Sequence, residues 1–345
     1  MLETTPYGTT ADGHTVRLFT LKNRHGLQVR LCEYGALVTS ILTPDHSGEV
    51  AEITLNKPDF QSWLDNPDYL GATVGRFGNR IAGGKFTLDG TTCELPLNDG
   101  SGSSACHLHG GPKGFSSRLW KGEPVIQPKA QGASFTLYSD AGDEGYPGTL
   151  TAKVTYWLTE DNELIFEARA TTDAPTPVNL LNHLYWNLSG DPSRSILDHE
   201  LQIMADAYLP TTPGMIPTGE IASIKNTPLD FTRATSVGER ITADFPALLT
   251  AGGYDHCYVL RDTDRDLRPA AILRHSESGR TLEITTNQPG LQFYSGNFLP
   301  RKHHGLCLEA QAFPDSPNHP DFPDTILRPG EQYHHRTCFK FTTAP

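Results

Sequence analysis

The sequence predicts an all-β fold: one large antiparallel β-sandwich with long loops and few short helices. Three features predict it. Apolar and polar side chains alternate with a two-residue period in many stretches, as in strands that bury one face. No stretch of comparable length carries the 3.6-residue period of a helix. The 32 glycines and 26 prolines are spread throughout, which suits many short strands joined by turns. No internal repeat, low-complexity linker or shift in composition divides the chain, so residues 1–345 read as a single domain.

In chain order, Leu27, Val29 and Leu31 alternate with Gln28, Arg30 and Cys32, and an apolar, β-branched run follows from Ala36 to Leu42. Asn56 to Asn66 is the best short-helix candidate, with Pro58 in its first turn. Gly71 to Gly84 is glycine-rich and basic, and Leu95 to Gly114 reads as loop. Ala133, Phe135 and Leu137 share one strand face. A long hairpin pairs Leu150, Ala152, Val154, Tyr156 and Leu158 with Leu164, Phe166, Ala168 and Ala170 across the turn Glu160-Asp161-Asn162. Leu282 and Ile284 mark another strand, and Gln332 to Phe341 alternates to near the end.

Two stretches combine a buried face with a chemical one. Val178 to Leu188 reads as an extended strand. Leu180, Leu184, Trp186 and Leu188 lie on one side with Asn182 as the polar exception, and Asn179, Leu181, His183, Tyr185 and Asn187 lie on the other. That second side is predicted to floor a polar pocket. From Gly305 to Phe313, Leu306, Leu308, Ala310 and Ala312 oppose Cys307, Glu309 and Gln311. The expectation is that the two strands carry His183 and Glu309 to opposite sides of one sugar ring.

The totals exclude several partners. With 28 basic and 40 acidic residues the net charge is -12, which argues against nucleic acid and anionic membrane, and counts against a phosphorylated substrate. No apolar run approaches the ~20 residues of a membrane span. The N-terminal Met-Leu-Glu-Thr-Thr-Pro lacks the basic and apolar regions of a signal peptide, so a cytoplasmic location is predicted. The six cysteines, Cys32, Cys93, Cys106, Cys257, Cys307 and Cys338, are scattered and read as reduced and buried, not as a disulfide framework or a zinc site.

Among the candidate residues, Arg76 and Arg80 stand four apart among glycines, either as turn residues that are solvated or bridge to acids, or as a planar donor fork for a hydroxyl or carboxylate. His107 and His109 flank one leucine, and a metal would need further ligands. Asp255 either caps a turn or accepts from sugar hydroxyls, and Gln292 has the same two readings. Tyr185, Trp186 and Tyr294 either stack on a sugar or pack in the core. Glu309 is a single acid in an apolar strand, costly to bury unless partnered or functional, and burial makes it a better base.

Together these residues form an ordered set. Asn79-Arg80, Leu108-His109-Gly110-Gly111, Asn182-His183 with Tyr185 and Asn187, Tyr254-Asp255-His256, Gln292-Phe293-Tyr294 with Gly296-Asn297-Phe298, and Leu308-Glu309 with Pro314-Asp315 follow one another along nearly the whole chain. In that order they resemble the aldose 1-epimerases, the galactose mutarotase family. The resemblance implies a galactose mutarotase-like supersandwich and an isomerase that interconverts the anomers of free aldohexoses such as galactose and glucose. It implies no required metal or organic cofactor. Position by position, it makes His183 the general acid and Glu309 the general base. Asn79, Arg80, His109, Tyr185, Asp255 and Gln292 become sugar-binding residues. Leu184 and Trp186 depart from the residues usual beside the histidine, which leaves the preferred aldose open. The expected partner is a small-molecule aldose, with the chain a monomer or homodimer. The alternatives are a hexose-6-phosphate 1-epimerase and a non-catalytic sugar-binding module. A glycoside hydrolase fits less well, because that chemistry usually takes two carboxylates.

Overall fold

The computed structural model describes residues 2–261 and 266–344. Among these residues the predicted alternation becomes three large antiparallel sheets around a shared apolar core. The largest has nine strands, in the spatial order Lys121–Gln127, Ala130–Ser139, Leu150–Thr159, Glu163–Thr172, Tyr333–Thr343, Arg280–Thr286, Arg268–Arg274, Glu200–Ile203 and Thr235–Ser236. A six-stranded sheet runs Tyr185–Trp186, Leu306–Gln311, Gly290–Tyr294, Asp255–Leu260, Ala205–Tyr208 and Ala222–Ser223. A five-stranded sheet takes the N-terminal region from Leu2–Thr9 to Val50–Glu52, each strand pairing with the next.

One apolar cluster joins the inner faces. Val154, Phe166 and Phe339 come from the nine-stranded sheet, Leu291, Phe293, Leu306 and Leu308 from the six-stranded one, and Phe19, Val29 and Ile41 from the five-stranded one. The long hairpin forms as predicted, with Leu158 opposite Leu164. All six cysteines are free thiols, four of them buried. No helix among the described residues is long and apolar enough to cross a membrane.

Three local expectations need correcting. The helix expected within residues 56–66 is one turn, Phe60–Trp63, and Pro58 lies before it. Asp59 starts it instead, its carboxylate accepting from the Ser62 N–H, and the turn buries Phe60 and Trp63. A second helix, Pro246–Ala251, is too short to show a period. A proline in its first turn opens it, and Gly252, at φ 66, closes it. Arg76 is no fork for ligand. It is buried, donates to the carbonyls of Ser139, Pro147 and Gly148, and lies 5.4 Å over the Tyr146 ring.

The third correction concerns residues 178–188, which do not form one continuous strand. Leu181–Asn182 pairs with Thr73–Val74 and Tyr185–Trp186 with Leu306–Gln311, while Asn179 makes a single bridge to Phe77 and Trp186 a second one to Thr54. The chain changes partner within a few residues, so no ladder can run through it. Its side chains still sort into two sets. Leu180, Leu184, Trp186 and Leu188 enter the main core, while Leu181 and Tyr185 join a second cluster with Trp63 and Val74. Leu184 and Trp186 therefore sit away from the pocket.

The asparagines here are buckles rather than pocket floor. Asn179 donates to the Gly78 carbonyl and accepts from the Ala312 N–H, both at 3.0 Å, which ties the Asn79 turn to the end of the Glu309 strand. Asn187 donates to the carbonyls of Arg194 and His304, both at 2.9 Å. Asn182 donates to the Gly71 carbonyl and the Tyr156 hydroxyl. Such pairing offsets the cost of burying an amide. Asn179→Ala should lower unfolding free energy in urea titrations by about 1–3 kcal/mol for each buried group it orphans. A change within measurement error would remove its role as a tie.

Candidate active site

The six-stranded sheet has two different faces because its side chains alternate. Leu291, Phe293, Leu306 and Leu308 point into the core, so Gln292, Cys307 and Glu309 point the other way. Antiparallel register sets Gln292 opposite Glu309, Asp255 opposite Tyr294, and Tyr185 opposite Cys307. Above this face lies a cavity of about 470 Å³, whose lining includes His183, Glu309, Asn79, Arg80, His109, Tyr185, Asp255 and Gln292. Every site residue expected from the sequence is thus brought to one cavity.

Two turns close it from above. Asn79 and His109 both adopt left-handed backbone, at φ 64 and 51, and stabilise each other. The His109 N–H donates to the Asn79 carbonyl at 3.0 Å, and the Asn79 N–H donates to His109 Nδ1 at 3.1 Å. Because Nδ1 accepts, the proton of neutral His109 sits on Nε2. Gly110 is required here: a Cβ at its φ of 85 would collide with the Gly75 carbonyl.

His183 is held on several sides. Its ring stacks on Tyr185 at 5.0 Å and meets His109 edge-on at 5.2 Å. Its Nε2 lies 3.7 Å from Glu309 Oε1, and its Nδ1 lies 3.5 Å from Cys307 Sγ. A gap of 3.7 Å leaves no room for a pyranose between acid and base. The expectation that they stand on opposite sides of the ring is therefore corrected: they stand side by side and address one edge.

Burial sets the charge of this pair. Desolvation pushes His183 down to about 4. Desolvation, and then the Asp255 carboxylate, push Glu309 well above the usual carboxylate range. Both shifts disfavour charge: the imidazole is neutral at neutral pH, and the carboxyl holds its proton more tightly than an exposed one. Burial, followed by the nearness of His183 and Arg80, also holds His109 well below the ordinary histidine range. Asp255 is buried and raised by desolvation, and accepts from Gln292 Nε2 at 2.6 Å. Arg80 is paired with Asp99 at 3.1 Å.

His107 belongs elsewhere: it bonds the Pro96 carbonyl through Nδ1 and the Tyr146 hydroxyl through Nε2, so it supports the loop. Sequence reasoning missed Tyr69, Asp99 and Met215 on the cavity wall, and gave no role to Phe298, also on the wall, or to Cys307 behind His183, although both stand in stretches it singled out. Tyr69 lies over His109 at 4.6 Å, and Asp99 is the partner of Arg80. They stand in loops without periodicity, and no local pattern marks them. Tyr185 and Tyr294 line the cavity, whereas Trp186 packs on Phe339 and Phe341.

Residues 17–340 match the family model described as aldose 1-epimerase. The chain belongs to the aldose 1-epimerase family. It is 40% identical to galactose mutarotase of Bos taurus over 341 residues, 96% of this chain and 95% of that one. It is 39% identical to aldose 1-epimerase of Escherichia coli over 353 residues, covering 99% of each. The crystal structure of galactose 1-epimerase from Lactobacillus acidophilus superposes with a TM-score of 0.89 at 27% identity, over 100% of this chain and 99% of that one. The Lactobacillus acidophilus epimerase shares the fold along its whole length, in keeping with the all-β reading.

Since His183 is depressed to about 4, its ring should stay neutral well below the ordinary histidine range. Its imidazole resonances, assigned by His183→Asn, should not shift from neutral pH down to roughly pH 5. A midpoint near the unperturbed value of about 6.5 would contradict the buried, neutral imidazole.

Proposed function

We propose that this isomerase of the aldose 1-epimerase family converts the α- and β-anomers of free aldohexoses through His183 and Glu309. The observation that carries this is the buried pair 3.7 Å apart at the base of a cavity of hexose size and larger. Both oxygens concerned, the C1 hydroxyl and the ring oxygen, are bonded to the same carbon. A base and an acid side by side can therefore serve both from one edge.

In the reacting tautomer the carboxyl proton has passed to the imidazole. Glu309 takes the proton of the C1 hydroxyl, and His183 gives its proton to the ring oxygen. The C1–O5 bond breaks as the carbonyl forms. Rotation about C1–C2 presents the other carbonyl face, and the reverse transfers close the ring. Opening converts an imidazolium and a carboxylate into neutral imidazole and carboxylic acid. That neutralisation returns the desolvation cost of the charged tautomer as the ring breaks.

The other groups orient the sugar. His109 offers its Nε2–H, Arg80 its guanidinium, and Asp255 and Gln292 an acceptor and an amide for hydroxyls. The lining also argues about substrate class. Its cation Arg80 is already paired, while Asp68, Asp99, Asp255 and Glu309 are all acids on the wall. A phosphate would meet more carboxylates than cations, which favours free sugars over hexose 6-phosphates.

Polarimetry on freshly dissolved α-galactose tests the roles. Glu309→Gln and His183→Asn should each lower kcat at least ~10²-fold with the fold retained. Near-wild-type turnover in either removes that residue from the chemistry. The pH–rate profile should be bell-shaped, because the pair works with one proton. As pH falls through about 4, His183 gains a second proton and the base is lost. As pH rises through the elevated Glu309 value, the shared proton leaves and the acid is lost. Glucose 6-phosphate should be turned over far more slowly than galactose or glucose, and the opposite order would overturn the substrate class.

A further inference from the structure

The proposed reaction passes through a cation at His183. A proton leaves the Glu309 carboxyl and joins the imidazole lone pair at Nε2, so a buried neutral ring turns positive, which desolvation opposes. Five side chains face that ring: Glu309 at Nε2, Cys307 at Nδ1, and the rings of Tyr185, Tyr69 and His109. Its own backbone also bonds the imidazole. Glu309 is the source of the proton, and a thiol is a weak partner. The rest of the environment is aromatic. The Tyr185 ring lies 5.0 Å from the imidazole, centroid to centroid, at 27°, and the Tyr69 ring 6.0 Å away at 29°. Both are stacked arrangements, in which an aromatic ring turns its negative face toward its neighbour.

Both tyrosines are fixed in place. The Tyr185 hydroxyl donates to the Asp68 carbonyl at 3.0 Å, so its proton is not offered to a sugar. Tyr69 has left-handed backbone, at φ 57, in a turn closed by the bond from its N–H to the Asn66 carbonyl and by the one from the Ala72 N–H to its own carbonyl. That turn grips the His183 backbone. The Gly71 N–H donates to the His183 carbonyl and the His183 N–H donates to the Ala72 carbonyl, both at 2.9 Å. Tyr69 also lies 4.6 Å from His109, yet His109 is not free to take the charge. Its Nδ1 already accepts from the Asn79 N–H at 3.1 Å, and a proton there would set two N–H groups against each other. Rings that favour a cation therefore act on one histidine of the touching pair.

We propose that Tyr185 and Tyr69 are positioning residues whose π faces cradle the imidazolium form of His183 and so assist transfer of the Glu309 proton to Nε2. The inference rests on the proposed role of His183 as the acid. It gives Tyr185 a task other than holding the sugar, and it gives Tyr69 a task in turnover. The cradle acts on kcat, because the imidazole is neutral while the sugar binds and charged only on the way to ring opening.

The test changes the charge of the ring face and leaves its shape nearly alone. In the full chain, Tyr185→Phe is compared with its monofluoro and trifluoro phenylalanine analogues, since each fluorine withdraws negative charge from the face. Along that series kcat for α-galactose should fall, roughly 2- to 30-fold from the plain to the trifluoro ring. KM should stay within about twofold, as for an interaction made only after binding. The same series at Tyr69 should fall in the same sense and by less, because that ring is further from the imidazole. In a His183→Asn background both slopes should vanish. A flat series at Tyr185 overturns the cradle. So does a rise in KM at constant kcat, or a slope that survives His183→Asn, since either makes the rings a platform for sugar. Should the trifluoro ring not be accommodated at buried Tyr185, the series at Tyr69 decides, and a flat one there overturns the cradle. A flat series beside a crippled His183→Asn defeats the cradle alone. Near-wild-type turnover in His183→Asn defeats the acid itself, and the cradle with it.

Discussion

The site depends on one constraint: an imidazole and a carboxyl buried 3.7 Å apart can keep only one proton cheaply. The neighbours of the pair respect that constraint. The far nitrogen of His183 meets a thiol, a weak partner, instead of a carboxylate that would fix an imidazolium beside Glu309. His109 is neutral, and the Arg80 charge is spent on Asp99. With no strong ion pair to lock either partner, the proton stays transferable, as reversible ring opening requires.

Precision comes from using each strand twice. The side chains that hold the six-stranded sheet on the core, such as Leu306 and Leu308, alternate with Cys307 and Glu309. Any slip in register would expose Glu309's neighbours and bury Glu309 in the core. The ladder also sets Gln292 against Glu309, and Gln292 in turn holds Asp255. Turns contribute Asn79 and His109, and the short strand Arg80–Ala82, paired with Cys106–Leu108, contributes Arg80; these turns are braced, because Asn79 and His109 bond each other and Asn179 ties their base to the sheet.

Much of this was legible in the sequence, for definite reasons. Period-two alternation revealed the hairpin at residues 150–170 and the strand of Glu309, because each has one buried face. The order of motifs along the chain, more than any one of them, gathered the cavity residues. What stayed hidden was tertiary. Residues 178–188 alternate like a strand yet pair in two-residue pieces with separate partners. Asn179 and Asn187 looked like pocket floor because polarity reveals the need for a partner, not which partner is found. The side-by-side placement of His183 and Glu309, and the opposite shifts that burial gives their proton affinities, are distances and dielectric effects that residue types do not encode.

The strand Tyr333–Thr343 lies in the middle of the nine-stranded sheet, between Glu163–Thr172 and Arg280–Thr286. A ribosome delivers it after every strand it joins. Until it arrives, both neighbours present bare ladder edges, templates for pairing with other nascent chains. Closure of the sheet thus waits on that strand, and the two waiting edges expose the growing polypeptide to misassociation, and to a need for chaperone shielding, until it has emerged.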